Sequence, residues 1–466
     1  MGEKGELWRL SATEMLAGYR ERVFSPVEVM ASVIARAEAM EPTVNAFTWT
    51  FFDRAMAQAA EAEARYLGRG AAPGAFEGLP VAIKEEMGIT GLPGTLCSLV
   101  FERDVAEHTH PVARRIMAAG GIVHAKTAMP EFACAGFTWS RLFGATRNPW
   151  NPAFDVGGSS GGAAAALAAG TAALANGSDI GGSIRIPASC CGIVGLKPSF
   201  GRWPQEPPYH LDHYSHEGPM ARTVADCALF YQTIAGADPG DIASLREPAT
   251  LPERYGDVRG WKIALSMELG GWDPDEDVRA NTLAAAQAFR DAGAIVEEVE
   301  VGFTRAQVIE AAKLHYGAIF GSWIAGIAAE HADLLTPYAL AFADLTAGAN
   351  EPGAFLRGLM IEGEIGAAVG TLLQEYRLLL APTLAIPALP AGEAGLADPR
   401  ATGWGPAALP GSDHLMTIPF NICSRCPVVS VPSGLSRDGV PTGLQIVGRT
   451  FCDADVLNAA AVLPPL

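Results

Sequence analysis

Three short stretches of this chain combine residue types that can do chemistry with spacings that leave them free to do it. In "NGSDIGGSIRIPASCCG", Ser183 stands among glycines and is followed at once by Arg185 and Pro187. The amides of Ile180, Gly181, Gly182 and Ser183 fall in a turn that can aim several N–H groups at one point. Such a turn suits an oxyanion, because preformed donors stabilise a developing negative charge by several kcal/mol. A serine nucleophile still needs a proton acceptor. "GLPVAIKEEM" offers one: Lys84 ends a strand-like apolar run in a chain with only six lysines. A lysine kept from water can shed its proton and act as a neutral base. The competing reading is a strand-end lysine that reaches solvent.

The third stretch is "DVGGSSGGAAAALAAG", where Gly157, Gly158, Gly161 and Gly162 surround Ser159 and Ser160 before an Ala-rich helix. Glycines permit positive φ, and the first turn of a helix carries unpaired N–H groups that attract an anion. A phosphate loop would continue with Gly-Lys-Ser/Thr, which is absent here. Gly157-x-Ser159-x-Gly161 also fits the nucleophile elbow of α/β-hydrolases, and no Ser-x-x-Lys of the β-lactamase type occurs. Taken alone, this loop is compatible with an anion cradle, an elbow or a structural turn.

Positioning these groups requires a large core. The chain has 466 residues, 49% of them hydrophobic and 18% charged, with no run of eighteen apolar residues. Capping boxes at Ser11–Glu14 and Ser25–Glu28, the latter with Pro26 at the first helical position, predict two leading amphipathic helices. A third is predicted over Phe51 to Tyr66. Beyond a Gly/Pro-rich break, "PVAIK", "GGIVHAK" and the helical run "AAAALAAGTAALAN" alternate, which predicts a sheet covered by helices. "WKIALSM" and "AIVEEVEV" flank a helix, helical stretches run on to "TLLQEYRLLLAPT", and "PVVSVPSG" and "GLQIVG" return to strands.

A formal net charge of −18 disfavours non-specific binding to nucleic acid or to an anionic membrane, since both need a basic surface. "MGEKGELWRL" lacks the apolar segment of a signal peptide, so a cytoplasmic location is expected. Eight dispersed cysteines read as a reduced set, and "CSRC" at Cys423–Cys426 has no second pair to make a zinc ribbon. His210, His213 and His216 recur at a spacing of three, which fits metal ligation, a catalytic histidine or plain pocket lining. The aromatics Phe132, Phe137, Trp139 and Phe143, and Trp203, Tyr209 and Tyr214, are candidates either for a pocket or for the core.

Taken in order, Lys84 in "GLPVAIKEE", "GGSSGG" and "GSDIGGSIRIPASCCGIVGLKPSFG" closely resemble the amidase signature family. Their separations, 75 residues from Lys84 to Ser159 and 24 from Ser159 to Ser183, match that family's Ser-Ser-Lys triad. "AKTAMPEFACAG", "FGATRNPWN", "EGPMARTVADCALF" and "FNICSRCPVVSVPSGLSRDGVPTGLQIVGR" extend the resemblance over most of the chain. Only about 205–215 and 265–415 show little of it. Val156, Ala163, Ser178 and Ala128 depart from the family's usual residues and leave the triad intact.

The resemblance implies an α/β fold: one large domain with a mixed central β-sheet covered by helices on both faces. The N-terminal helices would span 1–70, the signature core 75–235, and a variable, mostly helical insert at 265–415 would shape the substrate pocket. It further implies Ser183 as the acylated nucleophile, Ser159 as the proton relay and Lys84 as the base. Ile180, Gly181, Gly182 and Ser183 would hold the oxyanion, Ala133 would touch the substrate, and Asp179 and Arg185 would brace the loop. No metal or organic cofactor is implied. The expected reaction is hydrolysis of a C–N bond in a small amide, aryl amide, carbamate (urethane) or urea-like molecule. The alternative is the glutaminase component of a tRNA-dependent amidotransferase. Many members form homodimers, and the resemblance carries that expectation too.

Overall fold

Both capping boxes form at the start of the chain. Ser11 and Ser25 accept from the amides of Glu14 and Glu28, whose carboxylates accept the serine amides in return, opening α1 (Ala12–Glu21) and α2 (Pro26–Val44). α3 follows at Phe52–Tyr66. The computed structural model describes residues 6–247, 249–396 and 414–466, so part of the expected insert, 397–413, lies outside the described residues.

The apolar runs become strands: β1 (Phe47–Thr50), β2 (Pro80–Lys84) and β3 (Ile122–Thr127), then, beyond a two-stranded ribbon of β4 (Trp139–Ser140) and β5 (Gly144–Ala145), β6 (Leu174–Ser178), β7 (Val194–Lys197) and β8 (Glu217–Ala221). β9 (Lys262–Leu265), β10 (Ile295–Glu298), β11 (Leu378–Pro382), β12 (Val428–Leu435) and β13 (Pro441–Gly448) complete the set. Eleven of them, all but β4 and β5, form one sheet in the order β1-β3-β2-β6-β8-β7-β12-β13-β11-β9-β10. β2 runs parallel to β3 and β6, while β8, β7, β12, β13 and β11 pair antiparallel in turn, so the sheet is mixed.

Alternation along each strand divides the core between two faces. Val81 and Ile83 of β2 pack in one cluster and Ala82 in another; Leu378 and Leu380 of β11 face one side, Leu379 and Ala381 the other. Helices therefore cover both faces, as expected. Every residue of β2, β3, β6, β8 and β11 except Ser178 is buried, which fits strands covered on both faces.

Two segments differ from the reading of the sequence. "AAAALAAGTAALAN" is not one helical run: α5 (Gly161–Ala169) ends at Gly170, whose φ of +75° caps it, and the chain turns directly into β6. Residues 262–298 extend the sheet by two parallel strands, so the stretch that is mostly helical runs from Arg305 to Glu375.

Candidate active site

The reactive groups lie on neighbouring interior strands and the turns that follow them. Lys84 is the last residue of β2 and Ser178 the last of β6, the strand hydrogen-bonded to it. The Lys84 side-chain nitrogen is fully buried, with Nζ 2.8 Å from Ser159 Oγ, 2.7 Å from Ser178 Oγ and 3.1 Å from Glu86 Oε1. The structure thus excludes the solvent-reaching reading of Lys84 and brings it onto the glycine loop. The peptide bond between Gly158 and Ser159 is cis.

The glycine loop is defined by close approach. A Cβ at Gly158 would meet the Phe137 carbonyl, and one at Gly162 would meet the backbone of Ala128. Ser160 N donates to the Ser183 carbonyl at 3.1 Å, which lays the Ser183 turn beside Ser159. α6 (Arg185–Cys191) starts immediately afterwards.

Asp179 and Arg185 meet as a fully buried bidentate pair, with Nε to Oδ2 and Nη2 to Oδ1 both at 2.9 Å. Asn421 Nδ2 donates to Asp179 Oδ1 at 2.8 Å and to its carbonyl at 2.9 Å, and Arg185 also reaches the Thr417 carbonyl. Burial alone would raise the Asp179 carboxyl, but Arg185 and Asn421 outweigh it and hold the group well below the usual carboxylate range. Asp179 Oδ1 also accepts the Gly182 amide at 2.9 Å, and Oδ2 accepts Ile184 N at 3.2 Å. This corrects the expected oxyanion cradle: the Gly182 N–H is already committed to its own loop. The amides of Ile180, Gly181 and Ser183 donate to no other described residue.

Around Ser183 is a narrow slot of about 60 Å³ walled by Ile180, Ile186, Phe320, Phe342 and Ile418, with Ala133 at its edge. Ala133 and Phe132 both take a left-handed φ, 57° and 56°, an uncommon conformation for residues with side chains. They are fixed from the helical region: Tyr338 OH accepts the Glu131 amide at 2.6 Å, and Glu131 Oε2 accepts both the amide and the hydroxyl of Thr336.

Tyr316 carries no signal in the sequence. It ends α9 (Arg305–Tyr316), lines the slot and donates its hydroxyl to the Ile180 carbonyl at 3.0 Å. "KLHYGAIFG" contains no local motif, so nothing short of the fold could have placed it beside the Ser183 turn.

The histidine trio is divided. His216 is buried under the loop, with Nδ1 2.7 Å from the Tyr214 carbonyl and Nε2 3.3 Å from Lys197 Nζ. Burial first, then Lys197, brings it down to about 3, while burial and Arg185 bring Lys197 to about 7. His213 instead joins Asp212, His315 and Glu362: His315 Nε2 lies 2.8 Å from Asp212 Oδ1, and His213 Nε2 lies 3.2 Å from Glu362 Oε2. The ligand-type atoms of Asp212, His213 and His315 lie within 4.8 Å of one another, but these groups are paired among themselves. His210 stands apart from both groups, on the short turn Tyr209–Leu211.

The aromatics divide as well. Phe137 and Trp139 pack on Tyr338, Phe143 on Trp49 and Trp203 on Phe230, whereas Phe132 and Tyr209 line a second cavity beside Ser159.

This sheet, with a buried lysine, two glycine-set serines and an amide-lined turn, is the frame of a known class. Residues 28–457 match the Amidase family, and the chain belongs to it, a family of hydrolases acting on C–N bonds. Its sequence is 35% identical to an acylamidase of Rhodococcus erythropolis over 99% of this chain and 96% of that one. It is 34% identical to one component of the glutamyl-tRNA(Gln) amidotransferase of Thermosynechococcus vestitus, over 94% of this chain and 93% of the relative. Among solved structures, a bacterial aryl acylamidase of the amidase signature family superposes with a TM-score of 0.89 at 29% identity, covering 97% of this chain and 95% of the other. No described helix is long and apolar enough to cross a membrane.

Proposed function

We propose that this protein hydrolyses small amides with an apolar or aromatic acyl group, through an acyl-enzyme on Ser183. The observation that carries the reading is the contact of Lys84 Nζ with Ser159 Oγ at 2.8 Å, next to a nucleophile turn with unspent amides. A neutral lysine has two N–H bonds and one lone pair. Ser178 Oγ can accept one N–H, and Glu86 Oε1 stands 3.1 Å from the same nitrogen, which leaves the lone pair for the Ser159 hydroxyl. Lys84 takes the proton of Ser159 as Ser159 takes that of Ser183, and Ser183 Oγ attacks the carbonyl. The amides of Ile180, Gly181 and Ser183 hold the resulting oxyanion. Collapse expels the amine, which receives its proton from Ser159, and Lys84 returns a proton to Ser159. Water then cleaves the acyl ester by the same relay in reverse.

The slot around Ser183 favours an apolar acyl group, because its walls are aliphatic and aromatic. Several relatives are components of glutamyl-tRNA(Gln) amidotransferases, which keeps glutamine as a second reading. Glutamine would carry an ammonium and a carboxylate into this slot, where buried charges need partners that the walls do not supply. Carbamates and ureas share the carbonyl chemistry and fall to the same assay. Wild type and Ser183→Ala are to be compared on p-nitroanilides, aliphatic amides, carbamates, ureas and glutamine. Cleavage of apolar-acyl amides by wild type alone supports the proposal; glutamine as the preferred substrate overturns it.

A further inference from the structure

A second cavity, of about 490 Å³, opens beside the slot and shares Ala133, Ile180 and Phe320 with it. Where the slot holds Ser183, this cavity holds Ser159 and Ser178. Since Ser159 hands the proton to the departing nitrogen, the nitrogen substituent of a bound substrate extends into this space.

The wall of this cavity is rich in carboxyls. Glu86, Glu206 and Glu217 line it, and no lysine or arginine is among its described lining residues. Glu86 lies 3.1 Å from Lys84 Nζ behind the wall and Glu206 3.1 Å from His108 Nε2 at its rim, whereas Glu217 has no such partner among the described residues. Glu217 opens β8 and stands directly opposite Ser178 in the β6–β8 pairing, one strand from the Lys84 contact. It is 7% exposed, its Oε2 has no hydrogen-bond partner among the described residues, and His110 Nε2 is 4.0 Å from Oε1. Burial brings His110 down to about 3, so it offers no positive charge. A buried carboxyl left without a partner costs free energy that a matching donor would recover. Burial, reinforced by Glu86 and Glu206 and only partly offset by Lys84, pushes Glu217 well above the usual carboxylate range. Aromatic rings share this lining, with Tyr209 stacked on Phe320 at 5.1 Å and Phe132 edge-on to Trp323 at 5.0 Å. Carboxylates and aromatic faces in one cavity form the surroundings that hold an ammonium ion.

From this placement we infer that the amine half of the substrate carries a second, cationic nitrogen, as in a mono-acylated diamine, received by Glu217 and Glu206 beside Tyr209 and Trp323. The inference rests on the amidase reading of the same site and adds the class of its leaving group.

Two measurements separate the two claims. Calorimetric titration of the wild-type protein with 1,4-diaminobutane and with butan-1-ol tests the cavity without turnover. The diamine binds at least tenfold more tightly, and Glu217→Gln or Glu206→Gln removes that advantage; equal binding, or none, overturns the inference. Steady-state kinetics then compare the N-(4-aminobutyl) and N-pentyl amides of one aryl acid. The cationic amide has at least a tenfold higher kcat/KM in wild type, falling to parity in Glu217→Gln with the N-pentyl rate retained. Parity in wild type overturns the inference and leaves the amidase reading intact. Diamine binding without cleavage of either amide leaves the cation site standing and overturns the proposed function. Glu206 lies at the more exposed end of the cluster, so Glu206→Gln keeps the test decisive if Glu217→Gln fails to fold.

Discussion

The Tyr316 hydroxyl donates to the Ile180 carbonyl at 3.0 Å, joining the helical region to the turn that carries Ser183. It fixes the peptide immediately before the unspent Gly181 amide, so in the proposed mechanism α9 takes part in aiming the oxyanion donors. Tyr316→Phe removes this donor and leaves the ring in place. A hydrogen bond of this kind is worth about 1 kcal/mol net, so kcat falls by about fivefold with KM little changed. An unchanged kcat on an apolar amide would detach Tyr316 from the cradle.

Ser183→Ala and Lys84→Ala each lower kcat/KM by at least about a thousandfold, as loss of any member of a relay does. Ser183→Ala also abolishes the acyl-enzyme seen by intact-protein mass spectrometry after a slow ester is added. Because the relay starts from a neutral amine, the wild-type rate rises with pH on the acid side of its profile. An acidic optimum would overturn the neutral-lysine relay.

Asp179 governs the acid limit. Its folded-state carboxyl is held below the unfolded value, so the stability it contributes is present above about pH 4 and is lost as pH falls through the folded value. Thermal melts of wild type therefore lose Tm steeply below pH 4. Asp179→Asn leaves Arg185 buried without its counter-charge, costs about 3–5 kcal/mol at neutral pH, and flattens that acid slope. If the variant keeps the wild-type slope, the clamp is not the group being titrated.

Gly182 has a φ of +123°, and a Cβ there would meet Thr417 Oγ1, which itself donates to the Gly181 carbonyl. Gly182→Ala forces the turn to shift where Gly181 and Ser183 present their amides. Activity falls by at least about tenfold, with a smaller loss in Tm than for Asp179→Asn. Circular dichroism and kinetics on one preparation check both parts.

Chemistry was more legible in the sequence than selectivity, for a physical reason. Lys84, Ser159 and Ser183 depend on local backbone, namely a strand end, a glycine loop and a turn before a helix, and local backbone writes itself into glycines and short apolar runs. Asp179 and Arg185 likewise form a pair six residues apart. Tyr316, Tyr338 and Glu217 depend on which distant segments the sheet order brings together, and β6 meets β8 across an intervening turn, helix and strand. Gly182 was misassigned because a glycine with positive φ and a free-looking amide reads the same whether its N–H faces a substrate or an aspartate. The helix predicted through Asn176 failed because one residue, Gly170, capped it.

β2 and β6 lie inside the sheet with neighbours on both edges, while the helices from Arg305 to Glu375 reach the Ser183 turn through Tyr316 and the Trp139 ribbon through Tyr338. The reactive turn therefore rests on the interior sheet, and the helical region reaches it from outside. Amide protons of the interior strands exchange last and those of the outer helices first, and a library that diversifies the outer helices must hold Tyr316 fixed to keep the Ser183 turn as it is.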